Sequence, residues 1–451
     1  MREIEVHLPT FYPAQVAAFN IWRKNRFVVG RCGRRWGKTD FGKVIAVDAA
    51  VKGQKVGWFA PNYKVQTEAY AEIAAALRPV KTESSEMKGL IRTMTGGRID
   101  FWTTNDPMAG RSRHYHKVIM DEAAFMKENA IDIWNQAIEP TLYDYTGKVL
   151  VISNTNGVSP ANFLHMLCEP DAVRPPGTPG PERGFVEFHG TIYDNPHLPK
   201  RRPGESDAAH AIRRAEDIET LRKTKHPLVW QQEYLAKFVD FSGDAFFLEE
   251  YLLLNGKAVP YPRNCDFVYA VIDTAVKSGR EHDGLAVTFF ALDLYSGKHP
   301  ITILDWDISN LEGSLLEAWM PGVFRRLEEL AKQCGARAGS IGAWIEDKVS
   351  GTILLQQGRR KGWPVHEIDS PLTAAGKDER AVSVSDYVVS DKVKISEFAF
   401  DKHTTYKGVH RNHFRGQVLG FRVGAKGNQA DDLLDCFCYG VAIGFGNQDG
   451  Y

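Results

Sequence analysis

The chain has 451 residues, 43% of them hydrophobic and 25% charged, with 40 Gly and 22 Pro. At roughly 100 to 200 residues per domain, this length calls for two or three domains with cores of their own and excludes a lone small module or a composition-driven disordered chain. Lys plus Arg balance Asp plus Glu at 56 each, which excludes a uniformly basic coat, so any contact with DNA must use local patches. Divided at residue 240, the halves carry about +5 and −5, a mild asymmetry that hints at two different jobs. The six cysteines (Cys32, Cys168, Cys265, Cys334, Cys436, Cys438) lack the paired spacing of a zinc or redox motif, which favours a reducing compartment. The stretch MREIEVHLPTFYPAQ has no apolar signal core, and no run approaches the ~18 to 20 apolar residues of a membrane span. A soluble, intracellular protein is expected.

From residue 26 to about 155, apolar strand-like runs alternate with helical patterns: RFVVGR and a helix from Gly37, KVGWFAP and YKVQTEAYAEIAAAL, KVIMDE and AIDIWNQAI, then KVLVIS. That alternation predicts a parallel sheet covered by helices. RTMTGGRIDFWTT interrupts it as a hairpin turning at Gly96 and Gly97. Residues 170 to 205 are rich in Pro and Gly around one short strand, FVEFHG, and residues 207 to 238 read as helical. These predict a lid or linker subdomain over about 157–245 of a first domain spanning 1–245. A break at about 245–262 precedes a second domain, 262–451. There FVYAVIDTA, GLAVTFFALD and KHPITILDWDI predict three antiparallel strands, LEGSLLEAWMPGVFRRLEELAKQ a long amphipathic helix, and GSIGAWIED a further strand. A mixed sheet follows. No internal repeat or low-complexity tract is present.

RFVVGRCGRRWGKT sets a strand, a glycine-containing loop and Gly37-Lys38-Thr39 at the mouth of a helix. Backbone N–H groups of such a loop, including Gly33, cradle phosphate oxygens, Lys38 neutralises β/γ charge, and Thr39 offers a hydroxyl to Mg²⁺. The strict phosphate-loop pattern wants glycine where Cys32 stands, with Gly33 one place later. KVIMDE ends a strand on Asp121 and Glu122, the first suited to hold Mg²⁺ and the second to polarise an attacking water. KVLVISNTNG carries Ser153, Asn154 and Thr155 at a strand tip, placed to sense a γ-phosphate. In FYPAQ, Gln15 is positioned to read adenine. Arg34 and Arg35 lie in the phosphate loop, and Arg111 and Arg113 precede the Asp121 strand. Such guanidinium groups stabilise phosphoryl charge in cis or from a neighbouring subunit.

A second acidic constellation lies downstream. Asp273 ends one strand, Glu346 and Asp347 end another, and Asp431 and Asp432 open a helix, with Asp435 one turn on. Carboxylates gathered this way repel one another unless cations sit between them, and the expected ions are two hard metals, Mg²⁺ or Mn²⁺, about 4 Å apart. Asp435 reads as a solvated or capping neighbour, and Asp283 as hairpin-turn chemistry. Basic clusters fall at Lys200–Arg202, at Arg222, Lys223 and Lys225, and at Arg359–Lys361. Lys377 and Arg380, ahead of a helix in the acidic domain, are the expected DNA-backbone contacts. The triplet at His114 to His116 reads as structural.

The ordered set RCGRRWGKT, KVIMDEAAF, VLVISNTNG, YDNPHL, WQQEYLAKF, YAVIDTA, WIEDKVSGTIL and ADDLLDCFCYG resembles the large terminase subunit of tailed double-stranded DNA bacteriophages, from Phe11 to about Gly444. The resemblance implies an α/β chain with an N-terminal ASCE-type P-loop ATPase followed by a C-terminal ribonuclease-H-like nuclease. It implies ATP and Mg²⁺ as cofactors, with Mn²⁺ an alternative to Mg²⁺ at the nuclease site. It also implies double-stranded DNA, a portal protein and a small terminase subunit as partners, a homo-oligomeric ring on the portal, and the host cytoplasm as location. By motif position Lys38 and Thr39 match Walker A, Arg34 its arginine, Asp121 and Glu122 Walker B, and Ser153 to Thr155 the coupling motif. Asp273, Glu346 or Asp347, and Asp431 or Asp432 match the nuclease acids. Two rivals are a helicase-like ATPase that does not cut DNA and a non-catalytic assembly protein with a degenerate phosphate loop.

Overall fold

The structure, a computed structural model, describes residues 4–127, 129–159, 161–168, 184–241, 245–274, 285–294, 299–309, 315–347, 350–424 and 431–446. Asp283 and most of the Pro- and Gly-rich stretch before FVEFHG lie outside them. The chain divides into two units, Met1–Glu219 with Pro227–Asp240, and Thr220–His226 with Phe241–Tyr451.

In the first unit the strands are β1 (Phe27–Cys32), β2 (Lys55–Ala60), β3 (Lys81–Ser85), β4 (Leu90–Thr93), β5 (Arg98–Thr103), β6 (Lys117–Asp121), β7 (Lys148–Ser153) and β8 (Phe185–Gly190). They form one sheet in the order β3-β4-β5-β2-β6-β7-β1-β8. Pairs from β5 through β8 are parallel, whereas β3, β4 and β5 pair antiparallel. Strands β2, β6 and β7 are buried along nearly their whole length, which is why they read as unbroken apolar runs. Alternation sends Val28, Ile119, Leu150 and Ile152 into a core beneath the helices Lys38–Val51 and Tyr63–Ala76, and Val29, Val118, Met120 and Val151 into a second core on the other face. The predicted hairpin is present, with the Gly96 N–H donating to Thr93 O at 3.1 Å. FVEFHG, expected within the lid, is β8, an edge strand of the main sheet beside β1.

Two helical expectations change. AIDIWNQAI forms one α-turn, Ala130–Ile133, then a π-turn, Trp134–Ile138, and a 3₁₀ turn, Glu139–Leu142; Pro140 lacks the N–H that a continuing helix needs. The segment 207–238 is a helix only over Asp207–Lys223, resumes at Pro227–Val229, and passes into a π-turn at Trp230–Tyr234. Pro227 disfavours helical backbone in the residue before it, so the chain restarts there.

The second unit carries β9 (Phe267–Thr274), β10 (Leu285–Leu292), β11 (Ile301–Ser309), β12 (Ser340–Ile345), β13 (Val365–Glu367) and β14 (Val393–Ile395), in the order β13-β12-β9-β10-β11-β14. As predicted, β9, β10 and β11 are antiparallel, and β12, β13 and β14 join in parallel. The helix Leu316–Gln333 lays Leu316, Met320, Val323, Leu327 and Leu330 over Val268, Ala270 and Ile272. The alternate residue Tyr269 donates its hydroxyl to Gly440 O at 2.7 Å, in the helix Asp432–Gly444 on the opposite face. A parallel phosphate-loop unit followed by a mixed-sheet unit is thus the fold class expected from the sequence.

Candidate nucleotide and metal sites

The first site lies at the C-terminal ends of β1, β6 and β7, where a parallel sheet covered on both faces opens to ligands. Register sets Arg31 opposite Ser153 and Asp121 opposite Ile152, so the three strand ends are level. Cys32 closes β1 in full burial, which pushes its thiol far above the ordinary range. The position that the strict motif reserves for glycine is therefore a core residue. The need for glycine falls at Gly33, where a Cβ would stand 2.1 Å from Tyr234 O. Gly37 turns the chain into the helix through φ 83°.

Lys38 Nζ lies 2.9 Å from Asn154 Oδ1 and 2.9 Å from Glu122 Oε1. Ser153 Oγ donates to Glu122 Oε2 at 3.3 Å and accepts from the Ala124 N–H at 3.1 Å. Glu122 itself stands at φ 52°, a conformation uncommon outside glycine and often stored at functional sites. Thr39 Oγ1 is 3.5 Å from Asp121 Oδ1. Burial, then the charge of Glu122, pushes Asp121 up to about 7 against the pull of Lys38, and its Oδ2 is buried without a hydrogen-bond partner. An orphaned carboxylate oxygen beside a threonine hydroxyl fits a Mg²⁺ ion. Gln15 donates to the carbonyls of Trp36 at 3.5 Å and Gly37 at 3.3 Å, and Tyr12 also donates to Trp36 O. Through these bonds the Gln15 amide nitrogen also braces the phosphate loop.

Glu233, unassigned by sequence reasoning, joins this site. Its Oε2 accepts from Arg34 Nε at 2.6 Å and from Asn154 Nδ2 at 3.0 Å. Arg35 O accepts from Asn195 Nδ2 at 2.7 Å. Thr155 Oγ1 is within hydrogen-bond distance of Gln232 O and Lys237 O, at 3.1 and 2.8 Å. Arg111 is exposed, with Gln136 Oε1 at 3.5 Å, whereas Arg113 faces Asp100 at 3.8 Å and the Trp102 ring at 5.8 Å. Of the two arginines, Arg111 is the one less tied to its own unit.

The second site gathers carboxylates from three elements. Ile272 faces Ile345 in the parallel pair β9–β12, so the next residues, Asp273 and Glu346, sit side by side at the strand ends. Asp432 opens the helix packed on β9 and β10. Asp273, Glu346 and Asp432 are 4%, 6% and 5% exposed. Burial, then the charges of Asp435, Glu346 and Asp432, pushes Asp273 well above the carboxylate range. Burial, Asp431 and Asp435 push Asp432 up to about 7. Glu346 Oε1 accepts from the Tyr439 hydroxyl at 2.8 Å. Asp347 is exposed and accepts from Thr352 Oγ1 in the helix Ser350–Lys361, and Asp431 pairs with Lys377 Nζ at 2.9 Å. The alternatives therefore differ in burial: Glu346 and Asp432 are buried beside Asp273, whereas Asp347 is exposed and Asp431 is half-buried. Among the described residues no three carboxylate, imidazole or thiolate groups already stand at ligand spacing. The all-oxygen, mutually repelling donor set suits hard cations, which would draw it together.

Two expectations need correction. Asp435 is not a solvated neighbour: its side chain is only 13% exposed and takes two hydrogen bonds from Arg380, from Nε at 3.2 Å and Nη2 at 2.7 Å. Arg380 is therefore not a DNA contact. It is 8% exposed, donates Nη1 to Ala375 O at 2.6 Å, and lies 5.0 Å from the Tyr439 ring. A carboxylate so covered needs a counter-charge, and Arg380 supplies it. Lys377 remains partly exposed.

No family model matches the sequence. The large terminase subunit of Escherichia phage T5 is 25% identical over 240 residues, 51% of this chain and 49% of that protein, so the chain spans about half the length of the curated relative it matches. The large terminase of a thermophilic bacteriophage superposes with a TM-score of 0.60 at 15% identity, covering 96% of this chain and 99% of that one. The same protein in complex with ADP gives 0.59 at 13% identity with the same coverage. The chain is thus similar to the large terminase subunits of bacteriophages, in sequence over about half its length and in fold over nearly all of it.

Proposed function

We propose that the protein is a genome-packaging motor subunit that hydrolyses ATP to drive double-stranded DNA into a procapsid and cuts concatemeric DNA with a separate, metal-dependent endonuclease. The observation that carries this reading is the presence, in two distinct units of one chain, of a phosphate loop joined through Lys38 to Glu122 and Asn154, and of a buried acid trio, Asp273, Glu346 and Asp432. In the first unit Thr39 and Asp121 would hold Mg²⁺, which supplies charge neutralisation on the phosphates. Lys38 and Arg34 balance phosphate charge, and Glu122 orients a water and accepts its proton. In the second unit the acid trio would hold Mg²⁺ or Mn²⁺, which activates water and steadies the leaving oxygen of a phosphodiester.

Partners follow from the same reading: double-stranded DNA, a portal protein on which copies assemble as a ring, and a small subunit that delivers DNA, all in the host cytoplasm. Among the described residues no helix is long and apolar enough to cross a membrane. Arg111 is the residue we assign to a neighbouring subunit's nucleotide. The test measures DNA-stimulated phosphate release and plasmid cleavage on the same preparation with Mg²⁺ or Mn²⁺. Both activities are expected, and ATP turnover without any cleavage would instead favour a helicase-like ATPase.

A further inference from the structure

The strongest unassigned feature is the turn Trp230–Tyr234. A π-turn departs from regular helical hydrogen bonding, and such turns are frequent at functional positions. This one is held from several directions. Gly33 admits Tyr234 O only because it lacks a side chain. The Arg34 N–H donates to Glu233 O at 2.6 Å, and the Gly157 N–H donates to Gln232 Oε1 at 2.7 Å. Within that frame the Glu233 side chain is 15% exposed, while the Arg34 side chain it binds is 55% exposed.

We propose that Glu233 is a positioning residue of the nucleotide site, fixing both the loop arginine Arg34 and, through Asn154, the lysine Lys38. The reading rests on the ATPase assignment above. One carboxylate oxygen accepts from Arg34 Nε and from Asn154 Nδ2. Because a carboxylate only accepts, the Asn154 amide must turn its nitrogen toward Glu233, which leaves Oδ1 facing Lys38 Nζ at 2.9 Å. Among the described residues Arg34 is gripped by Nε alone, so its two terminal amino groups remain available to a phosphate while rotation of the guanidinium is restrained. The relay Arg34–Glu233–Asn154–Lys38–Glu122 thereby ties the cation that meets the phosphates to the carboxylate that meets water, with Glu233 as the member supplied by the turn. Its energetic logic is preorganisation: the cations are aligned before substrate arrives.

The test compares ATP turnover in the full chain for wild type, Lys38→Ala, Arg34→Ala, Glu233→Ala, Glu233→Gln and the double variant Arg34→Ala/Glu233→Ala. Binding of a fluorescent ATP analogue and thermal melts accompany the kinetics. Glu233→Ala is expected to lower kcat by about tenfold or more while shifting nucleotide Kd much less. Glu233→Gln keeps the shape, loses the charge-assisted bond to Arg34, and should fall between Glu233→Ala and wild type. The double variant should be slower than Arg34→Ala by less than the full Glu233→Ala loss, because the two substitutions share the Arg34 branch while only Glu233→Ala removes the Asn154–Lys38 branch. Unchanged turnover in Lys38→Ala would overturn the ATPase reading and this proposal with it. Loss in Lys38→Ala, with turnover within twofold of wild type in whichever Glu233 variants melt normally, overturns the proposal alone, as does a double variant whose loss is the product of the single losses.

Discussion

Lys38 Nζ rests 2.9 Å from Glu122 Oε1, so the cation meant for phosphate is already held by the carboxylate meant for water. On the proposed reading, an arriving nucleotide competes with Glu122 for the charge of Lys38, which Asn154 holds in place, and so frees Glu122 to accept a proton. Hydrolytic competence is thereby linked to occupancy of the loop.

The first prediction follows from that competition. Glu122→Gln should abolish ATP hydrolysis yet bind nucleotide more tightly than wild type, because Lys38 no longer leaves a charged partner. Lys38→Ala should lose both binding and turnover. Titration with a fluorescent ATP analogue beside phosphate release separates the two, and weaker binding by Glu122→Gln would contradict the competition.

Separation of function is the second. Asp273→Asn or Asp432→Asn should abolish plasmid cleavage in Mg²⁺ or Mn²⁺ while ATP hydrolysis stays near wild type, since the two acid sets belong to different units. Asp347→Asn and Asp431→Asn should be mild, because Asp347 is exposed and Asp431 is engaged with Lys377. Agarose digestion of one plasmid with all four variants decides the assignment: retained cutting by both Asp273→Asn and Asp432→Asn would refute the nuclease reading.

A third concerns Arg380. Its removal leaves the mostly covered Asp435 without its counter-charge, so Arg380→Ala should cost up to about 3 kcal/mol of the second unit's stability, read by urea melting. Lys377→Ala should instead leave stability nearly unchanged and lower the salt dependence of DNA binding by about one phosphate contact. Wild-type melting of Arg380→Ala would show the pair to be dispensable.

The fourth is a pH dependence. His226 is 4% exposed, with its ring stacked on Phe246 at 4.3 Å and Nε2 2.8 Å from Phe246 O. Burial lowers its pKa below the ordinary 6.5, ahead of the opposing influences of the Phe246 carbonyl and Asp386. The folded state then binds this proton less readily than the unfolded chain. The contribution to stability is full above about pH 6.5 and lost as pH falls through the folded value. Asp432, raised to about 7, acts with the opposite sign, so the measurement is a difference. In EDTA, Tm between pH 7.5 and 5.5 should fall less for His226→Gln than for the parent, and equal slopes would remove His226 as a cause.

What can be read from the sequence is local. Gly37, Lys38 and Thr39 are adjacent, Asp121 and Glu122 are adjacent, and strand-end position follows from an apolar run, so these roles need no tertiary knowledge. Glu346 and Asp347 are also adjacent, but only burial tells which one faces Asp273. Arg380 misleads because its partner, Asp435, lies 55 residues away. Glu233 escapes notice because nothing in WQQEY marks a π-turn. Its side chain gains meaning only from Arg34, 199 residues earlier, and Asn154, 79 residues earlier.

The assignment of Thr220–His226 to the second unit, with first-unit chain on both sides, has a practical corollary. The polypeptide passes between units at 219/220, 226/227 and 240/241, so no single boundary along the chain separates them. Within the second unit Lys225 pairs with Asp386 and the His226 N–H donates to the same carboxylate at 3.3 Å. A fragment ending at Asp240 would carry those two residues without their partners, and a fragment beginning at Phe241 would leave the Asp386 carboxylate without either donor. Isolated halves of this protein should therefore be less stable than their sheets suggest, and co-expression of the two pieces should restore what each one lacks.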